Sequence, residues 1–237
     1  TPTTSSAASD VYKRQVCRQL GFPLAGGHSI DAPEPLFGLA VTGAVKRAHL
    51  KRNGNAKIGD QLLLTKPLGV GILTTAEKQG KLHRDHLGLA TDVMCRANDI
   101  GAELAKIEGV HALTDVTGFG LAGHLLEMCD GANLMATLDT AALPELPALD
   151  SYIEMGCVPG GTQRNFDASH ERLPSLTSRQ QAVLCDPQTS GGLLVAVSPD
   201  ACESVQHLLL AQHLATNVVG VLQSTDQRGP RIALAAS

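Results

Sequence analysis

What most limits the folds open to this chain is how often glycine and proline break its apolar segments. Beyond Gly59, short apolar runs are separated by polar loops such as Lys66-Pro-Leu-Gly69, Thr117-Gly-Phe-Gly120, Val158-Pro-Gly-Gly161 and Asp186-Pro-Gln-Thr-Ser-Gly-Gly192. Punctuation this dense keeps helices and strands short. The runs between the loops carry two periods. Alternation or continuous apolar character predicts strands over 61–66, 111–114, 134–138, 193–197 and 218–221. Helical spacing predicts helices over 68–79, 87–107, 121–129 and 200–210, with Tyr152 near the end of another short one. In the longest helix Leu89, Val93, Ala97, Ile100 and Leu104 trace one face. Residues 156–165 read as a glycine-rich loop. Interleaved strands and helices of this kind specify an α+β domain with mixed sheets.

The segment before Gly59 has a different texture. Residues 1–15 lack an initial Met, an apolar core and any periodicity, so they read as a disordered or foreign lead-in and not as a signal peptide. Cys17-Arg-Gln-Leu-Gly21 resembles a helix end with Gly as the stop. Pro33 and Pro35 exclude helix, and residues 36–45 alternate like a half-buried strand. Residues 46–59, basic and containing Asn53-Gly54, read as a connection between two substructures. The expected organisation is a lead-in (1–15), part of one domain (16–58) and a second domain (59–237).

Composition removes several function classes. The net charge of −4 over 237 residues gives no electrostatic footprint for nucleic acid or anionic lipid. Aromatics are 3% and Trp is absent, which leaves no set of stacking platforms for single-stranded nucleic acid. No apolar run reaches membrane-spanning length. The six cysteines form no CxxC pair, so they read as small buried hydrophobes of a protein in a reducing cytosol.

Three glycine-containing loops can carry chemistry. Thr114-Asp-Val-Thr-Gly-Phe-Gly120 places a carboxylate at the end of a strand and leads into a helix, whose free N–H groups favour phosphate. Asp115 there can hold Mg²⁺, which takes one or two carboxylates and completes its shell with phosphate and water. Capping of the helix by Asp115 or Thr117 accounts for the same residues. Gly26-Gly-His-Ser-Ile-Asp31 can wrap a nucleotide phosphate or ribose, or can simply be a turn. In Gly160-Gly-Thr-Gln-Arg-Asn165, Arg164 can clamp a phosphate and Asn165 orient it, or both can be solvated loop residues. The literal string Gly-Phe-Gly-Leu-Ala-Gly (118–123) lacks the acidic residue a dinucleotide site requires at the end of a second parallel strand, so it is set aside.

Taken together, Gly26-Gly-His-Ser-Ile-Asp-Ala-Pro-Glu-Pro35, Leu64-Thr-Lys-Pro-Leu-Gly69, Thr114-Asp-Val-Thr-Gly-Phe-Gly120, Val158-Pro-Gly-Gly-Thr-Gln-Arg-Asn165 and Cys185-Asp-Pro-Gln-Thr-Ser-Gly-Gly192 closely resemble the selenophosphate synthetases (selenide, water dikinases), a branch of the aminoimidazole ribonucleotide synthetase superfamily. The resemblance runs from Val16 to the carboxy terminus. It implies a cytoplasmic homodimeric enzyme that makes selenophosphate from selenide, ATP and water, releasing AMP and phosphate. It implies ATP contacts from Gly27, His28 and Ser29, and Mg²⁺ bound by Asp115. Thr162, Arg164 and Asn165 are further candidate phosphate contacts. In that light residues 16–58 are the remnant of an ATP-binding and dimerisation domain. The family's loop with its Cys or selenocysteine and Lys is not among these residues, so the chain is expected to be amino-terminally truncated and inactive alone. Two alternatives remain: another ATP-using enzyme of the superfamily, of the purine synthetase or thiamine-phosphate kinase type, or a non-catalytic partner subunit.

Overall fold

The computed structural model describes residues 14–28, 33, 38–225 and 229–235. The chain divides into two compact units, Thr1–Val45 and Lys46–Ser237. In the first, residues 14–19 form a helix, α1, that stops at Gly21, whose φ of 78° suits a residue without Cβ. The strand expected over 36–45 does not form within its described part. Residues 38–45 have no regular structure, and Leu39, Val41 and Val45 are 58%, 77% and 59% exposed. An alternating pattern becomes a strand only where a neighbour takes up its backbone hydrogen bonds, and no described residue pairs with this segment.

The second unit is built on one six-stranded sheet of order β2-β4-β1-β5-β3-β6. Its strands are β1 (Gln61–Leu64), β2 (Val110–Asp115), β3 (Leu134–Leu138), β4 (Leu193–Val197), β5 (Val218–Ser224) and β6 (Ile232–Leu234). Every pairing is antiparallel except that of β6 with β3. The helices are α2 (Val70–Lys78), α3 (Leu89–Cys95), α4 (Gly101–Leu104), α5 (Gly120–Ala132), α6 (Leu149–Glu154), α7 (Gly160–Ser169), α8 (Ser178–Leu184) and α9 (Pro199–Ala211).

β1 and β4 lie between two apolar layers, which is why Leu62-Leu-Leu64 and Leu193-Leu-Val-Ala-Val197 are apolar at every position. Leu62, Leu64, Leu194 and Ala196 face the larger core, made with α2, α5, α6 and α8. Leu63, Leu193, Val195 and Val197 face a smaller one made with α4 and α9. In α9, Cys202, Val205 and Leu209 form the i, i+3, i+7 stripe that seals this second layer. A bulge between Val110 and Ala112 lets β2 serve both cores, since Val110 packs in the smaller and Ala112 in the larger.

Two further expectations are corrected. The helix expected over 87–107 is two helices, and its single apolar face is divided. Leu89 and Val93 of α3 pack on the larger core, while Ile100 and Leu104 pack on the smaller, across the sheet. At the interruption, Lys66 Nζ takes the carbonyl oxygens of Val93 and Arg96, which the end of α3 leaves without partners inside the helix. The glycine-rich loop expected over 156–165 is a helix from Gly160 onward, with Pro159 extended at its N-cap. Two elements also went unread. α8 carries a capping box between Thr177 and Gln180, a Thr-x-x-Gln signal present in the sequence. β6 is too short to show a period, and only pairing with β3 makes it a strand.

The connection before β1 is docked along the second unit. Gly54 lies against Gly131 of α5, where a Cβ on Gly131 would sit 2.7 Å from the Gly54 Cα. Ala56 is buried in the larger core, and Asp60 accepts from the Lys57 N–H at 2.8 Å and from His111 Nδ1 at 2.8 Å. Gly131→Val should force this segment off α5 and lower stability by about 1–3 kcal/mol, a fall of several degrees in the thermal midpoint. An unchanged midpoint would show that the segment is not packed there.

Candidate functional site

Four of the loops singled out in the sequence meet at one end of the sheet. β1 leads there into Thr65-Lys66, β2 ends there in Asp115, and β4 begins there after the turn 186–192. Asp115 is exposed at the end of β2, where it pairs with Leu193 of β4. The chain then turns through Thr117 and Gly118 into α5. Gly120 has a φ of 70°, and a Cβ there would lie 2.8 Å from the Leu184 carbonyl oxygen, so glycine is required on both counts. Phe119 projects into solvent at 63% exposure beside the His124 ring, 5.7 Å away between centroids. His124 itself is buried; its Nε2 lies 3.2 Å from Thr117 Oγ1 and its Nδ1 3.4 Å from Glu127 Oε2.

The turn 186–192 holds these loops together from beneath. Asp186 is fully buried, and its Oδ2 accepts from the Gly71 N–H at 3.0 Å and from Gln188 Nε2 at 2.7 Å. Gln188 Oε1 accepts from the Val70 N–H at 3.3 Å. Asp186 and Gln188 thus cap the first turn of α2 from a distance, since its own N-cap, Gly69, has no side chain to do so. Gly71 must be glycine, because a Cβ would come within 2.4 Å of Asp186 Oδ1. That oxygen has no hydrogen-bond partner. Burial raises the Asp186 carboxyl to about 7, against the opposing pull of its bonds from Gln188, Gly71 and Ile72.

Lys66 is 2% exposed. Its Nζ donates to the carbonyl oxygens of Arg96 at 2.6 Å, Ser190 at 2.8 Å and Val93 at 3.3 Å. Burial, and then the Arg96 charge, lower its pKa. Sequence inspection placed Lys66 and Asp186 inside recognised strings without giving either a role. Their signal is a charge placed directly after an apolar segment, Leu62-Leu-Leu64 before Lys66 and Ala182-Val-Leu-Cys185 before Asp186, a setting in which a charge has to be paired or hydrogen-bonded.

The candidate phosphate contacts lie on α7. Arg164 is exposed and folds back over the start of the helix. Its guanidinium nitrogens lie 3.5 and 3.7 Å from where Cβ atoms on Gly160 and Gly161 would be. Asn165 donates to the carbonyl oxygens of Gly118 at 2.8 Å and Cys185 at 3.0 Å, tying α7 to the Asp115 loop and to α8. Thr162 is 2% exposed and its Oγ1 has no partner, so its side chain faces the interior. Among these residues Asp115 and Arg164 present charge to solvent, while Asn165 and Thr162 are engaged in packing. Gly27 and His28 belong to the first unit and are exposed without regular structure, and Ser29 lies outside the described residues. No group of three or more His, Cys, Asp or Glu suited to a metal occurs among the described residues. A metal at Asp115 would therefore draw on fewer than three such side chains among the described residues, which fits a Mg²⁺ that takes one or two carboxylates and fills its remaining positions with phosphate and water.

The chain belongs to the AIR synthase related protein, C-terminal domain family, whose model matches residues 57–232. More particularly, it is 60% identical over 211 residues to the selenide, water dikinase of Shewanella sp. (strain W3-18-1), a match covering 89% of this chain and 60% of that protein. The chain thus spans about 60% of the length of the curated relatives it matches. Solved structures share the fold at low identity. Thiamine-monophosphate kinase from Stenotrophomonas maltophilia K279a aligns with a TM-score of 0.56 and 17% identity, over 80% of this chain and 54% of that one. Hydrogenase maturation protein HypE in complex with ATP aligns with a TM-score of 0.56 and 15% identity, over 78% and 49%. The mixed α+β architecture and the family resemblance read from the motifs are both upheld.

The raised Asp186 carboxyl has a signed consequence. Its folded pKa of about 7 lies above the ordinary 3.8, so the fold favours the neutral acid. The stabilisation is fully present below 3.8 and is lost as pH rises through about 7. Asp186→Asn removes this titration. The variant's thermal midpoint relative to the parent should therefore rise between pH 5 and pH 8, where parallel curves would show that Asp186 does not titrate in this range.

Proposed function

We propose that this chain is the carboxy-terminal part of a selenide, water dikinase, inactive alone, and that the whole enzyme makes selenophosphate from selenide, ATP and water and releases AMP and orthophosphate. The observation that carries this reading is the 60% identity to a selenide, water dikinase, extending across the loops that converge at the Asp115 end of the sheet. An ATP-bound structure of the same fold supports nucleotide use, and the far lower identity to thiamine-monophosphate kinase and HypE argues against those activities.

In this reading Asp115 holds Mg²⁺ at the open end of β2, and the metal when bound neutralises phosphate charge. The start of α5 next to it offers backbone N–H groups, and Gly118 keeps the approach free of side chains. Arg164 supplies a second positive group, at the start of α7. Asn165 holds the Asp115 loop and α7 in register, and Thr162 supports that helix from within. Gly27, His28 and Ser29 contact ATP. Residues 16–58 contribute to an ATP-binding and dimerising part, and the enzyme works as a cytoplasmic homodimer. No helix among the described residues is long and apolar enough to cross a membrane, which is compatible with that location.

The test is Asp115→Ala in a protein that carries the rest of the relatives' length. Selenide-dependent AMP formation should fall by about a hundredfold or more, while the thermal midpoint without nucleotide stays within about a degree, because the carboxylate is exposed. Undiminished AMP formation would remove Asp115 from the site. Absence of selenide-dependent AMP formation in the parent protein would overturn the assignment itself.

A further inference from the structure

We infer that Lys66 is a positioning residue for the Asp115 loop, acting through the turn 186–192. The functional consequence rests on the reading of Asp115 given above; the structural linkage does not.

Lys66 is a buried ammonium whose hydrogen-bond acceptors are all backbone carbonyls, two at the end of α3 and one in the turn. Burying a charge in this way is costly, and an apolar side chain of similar length would fill the space at less expense. What the ammonium adds is a fixed point for Ser190. The residues after it grip the strand that leads from Asp115. A Cβ on Gly191 would lie 2.1 Å from the Val116 carbonyl oxygen, so the two backbones are in direct contact. The Gly192 carbonyl accepts from the Val116 N–H at 2.8 Å, and the Gln188 N–H donates to the Thr117 carbonyl at 3.0 Å. The Gly191 carbonyl accepts from Asn98 Nδ2 at 2.8 Å, which ties the α3–α4 break to the same turn. The main chain on the carboxyl side of Asp115 therefore hangs from a turn fixed at one end by Lys66 and at the other by Asp186 on α2. A lysine that served stability alone would loosen the whole unit when neutralised. A positioning lysine loosens the turn and the loop it carries.

The experiment is amide hydrogen exchange on this chain with Lys66→Met, which keeps the length and removes the charge, and with Lys66→Ala with and without added ethylammonium. Exchange should accelerate tenfold or more at amides in 116–120 and 188–192 in Lys66→Met, while β3 and β5 keep their protection. Ethylammonium should restore protection at those same amides in Lys66→Ala. Unchanged exchange, uniform acceleration across the sheet, or global unfolding of both variants would overturn the inference. Titration of Mg·ATP onto the parent and Lys66→Met chains is read separately. A parent that binds and a variant weakened at least fivefold extend the positioning role to the ligand. A parent that does not bind counts against the functional reading and leaves the exchange result to decide the role of Lys66.

Discussion

The Lys66 ammonium, enclosed by carbonyl oxygens and bonded to no carboxylate among the described residues, is the interaction on which this end of the molecule depends. A charge removed from water must be repaid with hydrogen bonds. The acceptors recruited here are the last carbonyls of α3 and the Ser190 carbonyl. Ending α3 at that point redirects the chain, so that α3 covers the larger core and α4 the smaller. Lys66 thus binds the chain at the point where it passes from one face of the sheet to the other. Through Ser190 it also decides where the turn before β4 sits.

Asp186 complements it from the other end of the same turn. Its carboxyl caps the first turn of α2 from a separate part of the chain, and Gly71 leaves room for it. Capping by a residue of the same loop is the simpler arrangement, but Gly69 occupies that position in a left-handed conformation. The result is a buried, partly satisfied carboxyl that the fold prefers to keep neutral. Both ends of the turn are therefore fixed by buried ionisable groups, and the exposed Asp115 and Arg164 stand on what the turn supports. Fixing exposed charges from a buried polar layer is how a loop site gains a defined geometry.

The comparisons divide along the same line. Thiamine-monophosphate kinase and HypE share the sheet and its helices at 17% and 15% identity, so the architecture tolerates wide change in sequence. The loops at the end of the sheet lie within the segment that is 60% identical to a selenide, water dikinase. Fold and site are thus separable here, and the proposed chemistry belongs to the loops.

Much of this was legible from residue order alone. The strands around Leu62-Leu-Leu64 and Leu193-Leu-Val-Ala-Val197 declared themselves because burial on both faces demands apolar residues throughout. The glycine loops declared themselves because close backbone approach excludes side chains, and the family followed from their order. Other features were hidden because they arise from contacts between distant segments. The helical period from Leu89 to Leu104 is continuous in sequence, and the tertiary bonds of Lys66, Arg96 and Asn98 gather where it breaks. The alternation at 36–45 predicted a strand, and its described part, 38–45, has no described neighbour to pair with. Asn165 reads in sequence as a candidate phosphate contact, and the sequence gives no sign that its Nδ2 donates to the carbonyls of Gly118 and Cys185. Sequence by itself determined the elements, the glycine-dependent turns and the family, because these follow from local sterics and periodicity. Only the tertiary structure decided which polar side chains hold the site together and which face solvent, because the sequence around Lys66 shows that its charge needs a partner but does not mark residue 190 as that partner.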